Sequence, residues 1–339
     1  MTNALKALIY GLRVFPFSFE KGCFINGVFD LELQDVMSQK RTDVITPSYQ
    51  SAKKFQGHHY RCFPSFQEDI HYDSCFVLLP KQKDQALYDV AMALTYLNAG
   101  GHIVLCAAND AGGKRIPDIL SVFGLESLHS LSKNHCKYAV ARKTNIYKRD
   151  AVDYCIQQGG FQKGAHGYSV KPGIFGWNKV DIGSQVLAGQ LPNNLSGEGG
   201  DFGCGYGYLT DQVFLKNANV EKMTCFDSDY HAIQACQKNL DTLHNNRHFE
   251  TIWADLTNQC PVKPLNFIVM NPPFHDGKDQ DTALGKKMIT TAHDALGKYG
   301  ELYMVANNHL PYEAPLKDLF FQVDVLAAEK GFKIFKALK

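Results

Sequence analysis

The sequence predicts two tandem α/β domains, each a mostly parallel sheet covered by helices on both faces. Three observations predict it. The second half of the chain alternates strand-like and helix-like segments, the first half echoes that order, and 339 residues suffice for two ordinary domains.

The second half is the clearer. Lys222 to Phe226 reads as a buried strand, and Tyr230 to Leu243 as a helix with Ile233, Cys236 and Leu240 on its apolar side. Phe249 to Ala254 and Asn266 to Met270 read as further strands, Thr282 to Leu296 as a helix and Glu301 to Ala306 as the next strand. Phe321 to Ala327 and Phe332 to Leu338 are strand-like runs joined by a short Glu-Lys-Gly turn, so they should form an antiparallel hairpin at the sheet edge. One segment resists assignment. The strand before Asp201 should be rich in Val, Ile and Leu, yet it reads Ser196-Gly197-Glu198-Gly199-Gly200.

In the first half, Cys75 to Leu79, a helix from Gln85 to Leu97, and Gly101 to Ala108 echo the later strand-helix-strand series. "AGGHIVLCAAND" aligns with "KYGELYMVANN", and "CKYAVARK" with "FKIFKALK". Duplication is the expectation, with domains at residues 1–155 and 156–339. The join falls in the polar stretch 145–165, which contains Gly159-Gly160 and Gly164.

Composition narrows the function classes. The formal net charge is +1, so the whole chain has no strong attraction to nucleic acid. Residues 1–150 hold 18 Lys/Arg and 14 Asp/Glu, which makes the first half the more basic. No apolar run reaches the roughly 18 residues of a membrane span, and Ala7 to Leu12 is too short for a signal-peptide core. No membrane partner is expected, and the cytoplasm is the expected location. The ten cysteines form no C-x-x-C pair and should be small buried hydrophobes. The nearest metal-like cluster is His58, His59 and Cys62, and a polar loop is the preferred reading there, so no metal is expected.

Two motifs carry chemistry. Asp201-Phe202-Gly203-Cys204-Gly205-Tyr206-Gly207 is a Gly-rich strand-to-helix turn of the kind that lets a backbone approach a ligand. Tyr208 departs from the dinucleotide fingerprint, and no Gly-Lys-Ser/Thr of a Walker loop is present. An acid before the first glycine suits the amino acid part of S-adenosylmethionine. Asp227, at the end of the next strand, suits both ribose hydroxyls. Asp255 could meet the adenine edge, with Trp253 packing nearby. Gly203, Gly205, Gly207, Asp201, Asp227 and Asp255 are thus the candidate cofactor residues, joined by Asn271.

Asn271-Pro272-Pro273-Phe274 follows the fourth strand, at the sheet edge where open α/β folds bind ligands. The prolines fix the backbone and remove two donors, so carbonyls and the Asn271 side-chain oxygen remain as acceptors. An amino group on a base or amide is a poor nucleophile, because its lone pair is delocalised. Two acceptors gripping its hydrogens can turn that lone pair towards a methyl sulfonium and stabilise charge developing on nitrogen. Phe274 would stack on a planar substrate and His275 would line the pocket. Adenine, guanine and glutamine all fit this clamp.

The spacing of Gly-x-Gly-x-Gly and Asn-Pro-Pro-Phe resembles the class I amino-methyltransferases. "NPPFHDG", "GELYMVANNHLPY", "GFKIFKALK" and "KPGIFGWNKVDIGSQVLAG" resemble the bacterial 16S ribosomal RNA guanine-N2 methyltransferases, the RsmC family. Asp181, Gly183 and Ser184 stand at recurrent positions of that family. The resemblance covers most of residues 170–339 and, more loosely, 70–145. It implies two Rossmann-like class I methyltransferase domains: a degenerate N-terminal copy that supports the other and positions RNA, and a catalytic copy with a seven-stranded sheet and an antiparallel edge hairpin. It also implies S-adenosylmethionine as cofactor and 16S ribosomal RNA of the small subunit as partner. Leu78-Leu79-Pro80-Lys81 stands where the clamp would be in the first copy, which also lacks the Gly-rich loop, so no cofactor is expected there. Two departures stand out: the Gly-rich strand before Asp201, and Gly176-Trp177-Asn178-Lys179 in place of a Ser-containing stretch. Lys53, Lys54, Arg61, Lys114 and Arg115 are candidates for a basic RNA-facing patch. The competing readings are a 23S guanine-N2, DNA adenine or protein glutamine enzyme, and a non-catalytic RNA-binding assembly factor.

Overall fold

Strand and helix alternate through the computed structural model as the sequence pattern requires. It describes residues 2–273 and 279–339, with the side chains of 279–282 excepted. The chain divides into two compact units, Met1–Gln162 and Lys163–Lys339. In the first, β1 (Gly22–Ile25), β2 (Thr42–Ile45), β3 (Arg61–Phe63), β4 (Tyr72–Leu78), β5 (Leu97–Ala108), β6 (Ser127–Lys133) and β7 (Cys136–Arg142) form one sheet in the order β3-β2-β1-β4-β5-β7-β6. In the second, β8 (Gly197–Phe202), β9 (Val220–Asp227), β10 (Phe249–Trp253), β11 (Leu265–Met270), β12 (Leu296–Asn307), β13 (Gln322–Glu329) and β14 (Phe332–Leu338) are ordered β10-β9-β8-β11-β12-β14-β13. The two orders are the same when the strands are taken in sequence. Within these two sheets the pairings are parallel except those of the terminal hairpins, β6–β7 and β13–β14, and of each hairpin with its neighbour. The antiparallel closing hairpin expected from the Glu-Lys-Gly turn is therefore present, and Lys330 and Gly331 at its turn both take positive φ.

Helices bury each sheet from both sides, which yields two core layers per unit. In the second unit the helix Tyr230–Leu243 buries Ile233, Cys236 and Leu240, the apolar positions read from the sequence. The last helix before β12 starts earlier than expected, at Asp279. The strand expected over Glu301 to Ala306 runs from Leu296 to Asn307, with a register shift against β11 between Leu265 and Phe267.

The unassignable Gly-rich segment is the central strand β8, paired in parallel with both β9 and β11. Its neighbours explain the composition. A Cβ on Gly199 would stand 2.3 Å from Cζ of Phe267 and 2.6 Å from Sδ of Met223, and one on Gly200 would stand 2.9 Å from Leu265. Phe267, Met223 and Leu265 are all fully buried. The adjacent strands thus lay large side chains across β8 and supply the apolar volume that it lacks. Gly197, at φ +73, admits the Asn266 side chain, whose Oδ1 accepts a hydrogen bond from the backbone N–H of Glu198. A strand without β-branched residues is stable here because packing, not propensity, decides a central strand.

This account predicts that Gly199→Ala destabilises the second unit by about 1–3 kcal/mol through overpacking. Phe267→Leu should recover part of the loss. Tryptophan fluorescence during urea unfolding reads this unit selectively, because both tryptophans, Trp177 and Trp253, lie in it. An unchanged midpoint for Gly199→Ala would remove the packing explanation.

Candidate functional site

The C-terminal ends of β8, β9 and β11 bring the sequence-selected residues of the second unit together. The chain turns out of β8 through three glycines with positive φ: Gly203 at +79, Gly205 at +54 and Gly207 at +93. Gly203 and Cys204 both donate their N–H to the carbonyl of Phe226 in β9, and Gly207 donates to Cys204. Gly207 then caps the helix Tyr208–Lys216. A Cβ on Gly207 would stand 3.0 Å from Sγ of Cys236, so helix packing demands glycine there. A Cβ on Gly205 would meet nothing within 4 Å, so its backbone borders open space.

Asp227 closes β9 and holds the loop. Its Oδ2 accepts from the N–H of Gly205 at 2.9 Å, and its Oδ1 from that of Asp229 at 2.8 Å. Burial raises its carboxyl despite those bonds. Asp201 sits one step further in, with no exposed surface. Its Oδ2 accepts from the N–H and the hydroxyl of Thr210, and its Oδ1 is buried without a partner. The carboxyl is pushed up to about 7, by burial first and by the charge of Asp227 as well, against the Thr210 hydrogen bonds. Asp255 follows β10, and its Oδ1 accepts from Thr257. Trp253 donates its ring N–H to the Ser228 carbonyl and meets Tyr230 edge-on, which makes an aromatic wall beside Asp227.

Asn271 leaves β11 next to the loop: its carbonyl oxygen is 3.6 Å from where a Cβ on Gly203 would stand. Its side-chain Nδ2 donates to Oδ2 of Asp181 at 3.0 Å and to Oγ of Ser184 at 2.8 Å. Asp181 caps the helix Ile182–Gln190, and its Oδ2 also accepts from the N–H of Ser184. Pro272 is buried and Pro273 exposed. Phe274 and His275 lie outside the described residues.

A segment of residues 166–181 packs over the Gly-rich loop, and only its part from Lys171 onward was legible in the sequence, as a resemblance. His166 stacks on Tyr206 of the Gly-rich loop at 5.1 Å, and its Nε2 lies 3.3 Å from the Trp177 carbonyl. Asn239 ties the segment down: it exchanges hydrogen bonds with the backbone of Ser169 and donates to the Tyr206 carbonyl. Lys171, almost fully buried, has Nζ 3.2 Å from Nε2 of His231. Burial and the Lys171 charge push His231 down to about 3, so it is neutral and accepts. A polar residue on the buried face of an amphipathic helix was the signal available for Asn239. Lys171 and His231 gave no local signal, since 60 residues separate them.

The equivalent edge of the first unit is built differently. Asn26 follows β1 with φ +55, and its Nδ2 donates to the Leu78 carbonyl and to Oδ2 of Asp89. Of the basic candidates, Arg61 forks onto Asp43 with bonds of 2.7 and 2.6 Å, and Arg115 donates to the Lys81 carbonyl. Among the described residues no group of three or more His, Cys, Asp or Glu could hold a metal ion, and no helix is long and apolar enough to cross a membrane. His58 instead stacks on Phe29 at 4.0 Å.

Comparison with known proteins gives the family. The family model of the methyltransferase small domain matches residues 168–336, and that of the methyltransferase small domain N-terminal matches residues 18–155. Ribosomal RNA small subunit methyltransferase C of Vibrio vulnificus is 28% identical over 330 residues, covering 93% of this chain and 92% of that protein. Its Vibrio cholerae counterpart is 30% identical over 284 residues, covering 80% of this chain and 78% of that protein. The chain belongs to the ribosomal RNA small subunit methyltransferase C family. A T. thermophilus structure, described as a 16S rRNA N2 methyltransferase (RsmC) in complex with AdoMet and guanosine, superimposes with a TM-score of 0.80. The match covers 98% of this chain and 92% of that one at 18% identity, so the two-copy fold is shared over nearly the whole length.

In this methyltransferase, Asp201 links the site to stability. Its carboxyl is raised in the folded state, to about 7, above its ordinary value near 4. The folded protein therefore binds this proton more tightly than the unfolded chain does. The Asp201 contribution to stability should fall as pH rises from about 4 to about 7 and stay constant above that. Asp201→Asn keeps an acceptor for Thr210 and removes the titration. Its stability advantage over the native protein should grow by a few kcal/mol at most between pH 5 and pH 8. Parallel stability-pH curves for the two proteins would show that Asp201 does not titrate in this range.

Proposed function

We propose that this methyltransferase transfers a methyl group from S-adenosylmethionine to the exocyclic N2 amino group of a guanine in 16S ribosomal RNA of the small subunit. The observation that carries the reading is the Asn271 amide. Both its hydrogens are engaged by Asp181 and Ser184, so what it has left to offer is acceptor capacity. An acceptor at the sheet edge beside a Gly-rich loop suits an amino group as substrate.

The residues fit S-adenosylmethionine. Gly203, Gly205 and Gly207 form a cradle whose middle member borders open space. Asp201, two residues before the cradle, is assigned to the amino acid part of the cofactor on sequence grounds, and one of its buried carboxyl oxygens is without a hydrogen-bond partner. Asp227 at the end of β9 is assigned to the ribose hydroxyls, and Asp255 with Trp253 to the adenine edge. When bound, the cofactor supplies an electrophilic methyl group on sulfonium. The remaining work falls to the chain. Asn271 Oδ1 and the Pro272 carbonyl accept the two N–H bonds of the substrate amine and turn its lone pair towards the methyl group. They also stabilise the positive charge that grows on nitrogen. Phe274 is assigned to stacking on the guanine and His275 to the pocket wall, both on sequence grounds. The proton released afterwards goes to water, so no strong general base is required.

Residues 156–339 are assigned the chemistry, and residues 1–155 support of that copy and positioning of RNA. The guanine identity is supported by the guanosine bound to the T. thermophilus protein and by the His275-Asp276-Gly277 extension. Such a substrate puts the reaction in the cytoplasm.

The test is to offer radiolabelled S-adenosylmethionine together with small subunits, naked 16S RNA, 23S RNA, DNA or a glutamine-bearing protein substrate. Label should appear in guanine-N2 of 16S RNA, as free RNA or subunit. Label confined to another acceptor would overturn the assignment, and no label in any arm would favour a binding role. Asn271→Ala should lower turnover by about 10²–10³-fold, the loss expected for one preorganised group at a developing charge, with cofactor affinity retained. Turnover near the native rate would take Asn271 out of the mechanism.

A further inference from the structure

We infer that Asp181 and Ser184 are positioning residues that fix which end of the Asn271 amide faces the substrate, and so restrict the clamp to amino groups. The inference rests on the proposed role of Asn271 and goes one step behind it. A side-chain amide has a donor end and an acceptor end of nearly the same shape, and its surroundings decide which way it points. Free in solution, it can offer either end.

Here the surroundings are not symmetric. Oδ2 of Asp181, 3.0 Å away, belongs to a carboxylate with no hydrogen to give when ionised. The atom facing it must be the nitrogen. Oγ of Ser184, 2.8 Å away, takes the second hydrogen of the same nitrogen. A flipped amide would set its oxygen against the carboxylate and lose that bond, whereas the Ser184 hydroxyl, a donor as well as an acceptor, can meet either end. Asp181 thus decides which end of the amide turns outward, and Ser184 fixes its place by taking the second hydrogen of the inward end. A carbonyl or a ring nitrogen offered to this clamp would find no donor on Asn271, whereas an –NH2 group would find an acceptor.

Helix capping does not account for the arrangement. Asp181 caps the helix Ile182–Gln190 by accepting the N–H of Ser184 at 2.8 Å, which one oxygen accomplishes alone. The same oxygen also receives a hydrogen from a residue 90 positions away, and the Ser184 hydroxyl, which the cap does not use, faces that residue too. Gly183 makes room: a Cβ there would stand 3.1 Å from Oδ2 of Asp181 and 2.9 Å from the Phe332 ring. The helix start is therefore a two-point holder for Asn271, and the residue between its two contacts is as small as the geometry requires.

The test is a double-mutant cycle under saturating S-adenosylmethionine, with the 16S substrate proposed above. Asp181→Ser keeps a helix-capping hydroxyl but is too short to hold Asn271, and Ser184→Ala removes one acceptor and leaves the cap intact. Each should lower kcat, by about 10–100-fold for Asp181→Ser and less for Ser184→Ala, because a catalytic group held loosely loses rate. Cofactor affinity should stay within about threefold and the melting temperature close to native, since the cap survives. On an Asn271→Ala background neither substitution should cost anything further. A residue that merely supports the fold would cost the same on both backgrounds. Equal losses on both backgrounds, or full kcat in both variants while Asn271→Ala is crippled, would overturn the positioning role and leave the clamp standing. Native kcat in Asn271→Ala would overturn the clamp and this inference together. Should Asp181→Ser not fold, the Ser184→Ala arm of the cycle decides.

Discussion

The site depends on one hydrogen-bonded junction, in which Nδ2 of Asn271 meets Oδ2 of Asp181 and Oγ of Ser184. It joins the end of β11 to the start of a helix 90 residues earlier in the chain. That helix follows the segment that covers the Gly-rich loop, so one junction sets the acceptor, the cover and the loop in a common frame. The loop is itself tied to the neighbouring strand through Asp227 and the Phe226 carbonyl. Strand ends carry Asn271, Asp227 and the start of the Gly-rich loop, a helix start carries Asp181 and Ser184, and groups placed on packed strands and helices are held more precisely than groups on free loops.

Much of this fold was legible because its determinants are local. The periodicity of Tyr230 to Leu243, the apolar run ending at Met270 and the Glu-Lys-Gly turn each specify an element within a few residues of themselves. The central strand β8 was not legible for the converse reason. Its glycines make sense through Phe267, Met223 and Leu265, which reach it across the sheet from other strands. A single strand's composition cannot reveal volume supplied by its neighbours. Strand β12 was underestimated similarly, because Leu296 pairs with Leu265 across a register shift that no local pattern announces.

The site divides along the same line. The Gly-rich loop, Asp227 and the Asn-Pro-Pro-Phe motif are contiguous signatures and could be read directly. The sequence reading treated Asp201 as a ligand-facing acid. The structure turns it inward to Thr210 with one oxygen unpartnered. Asn239, Lys171 and His231 secure the cover through contacts between distant segments, and the orientation of the Asn271 amide depends on such a contact too. Residue types alone could say that an acceptor was available at position 271. They could not say that its donor end was already committed. The first unit shows the other outcome of the same topology, with the Asn26 side chain bonded across the strand edge where the second unit has Gly203.

The orientation of that amide is directly observable. Hydrogen exchange of the Asn271 side-chain NH2, followed by NMR on protein labelled with 15N at asparagine, reports whether its hydrogens are held. The account predicts that both exchange at least about tenfold more slowly than those of an exposed asparagine side chain, because each is bonded to a protein acceptor. Two hydrogens exchanging at the rate of a free amide would contradict it.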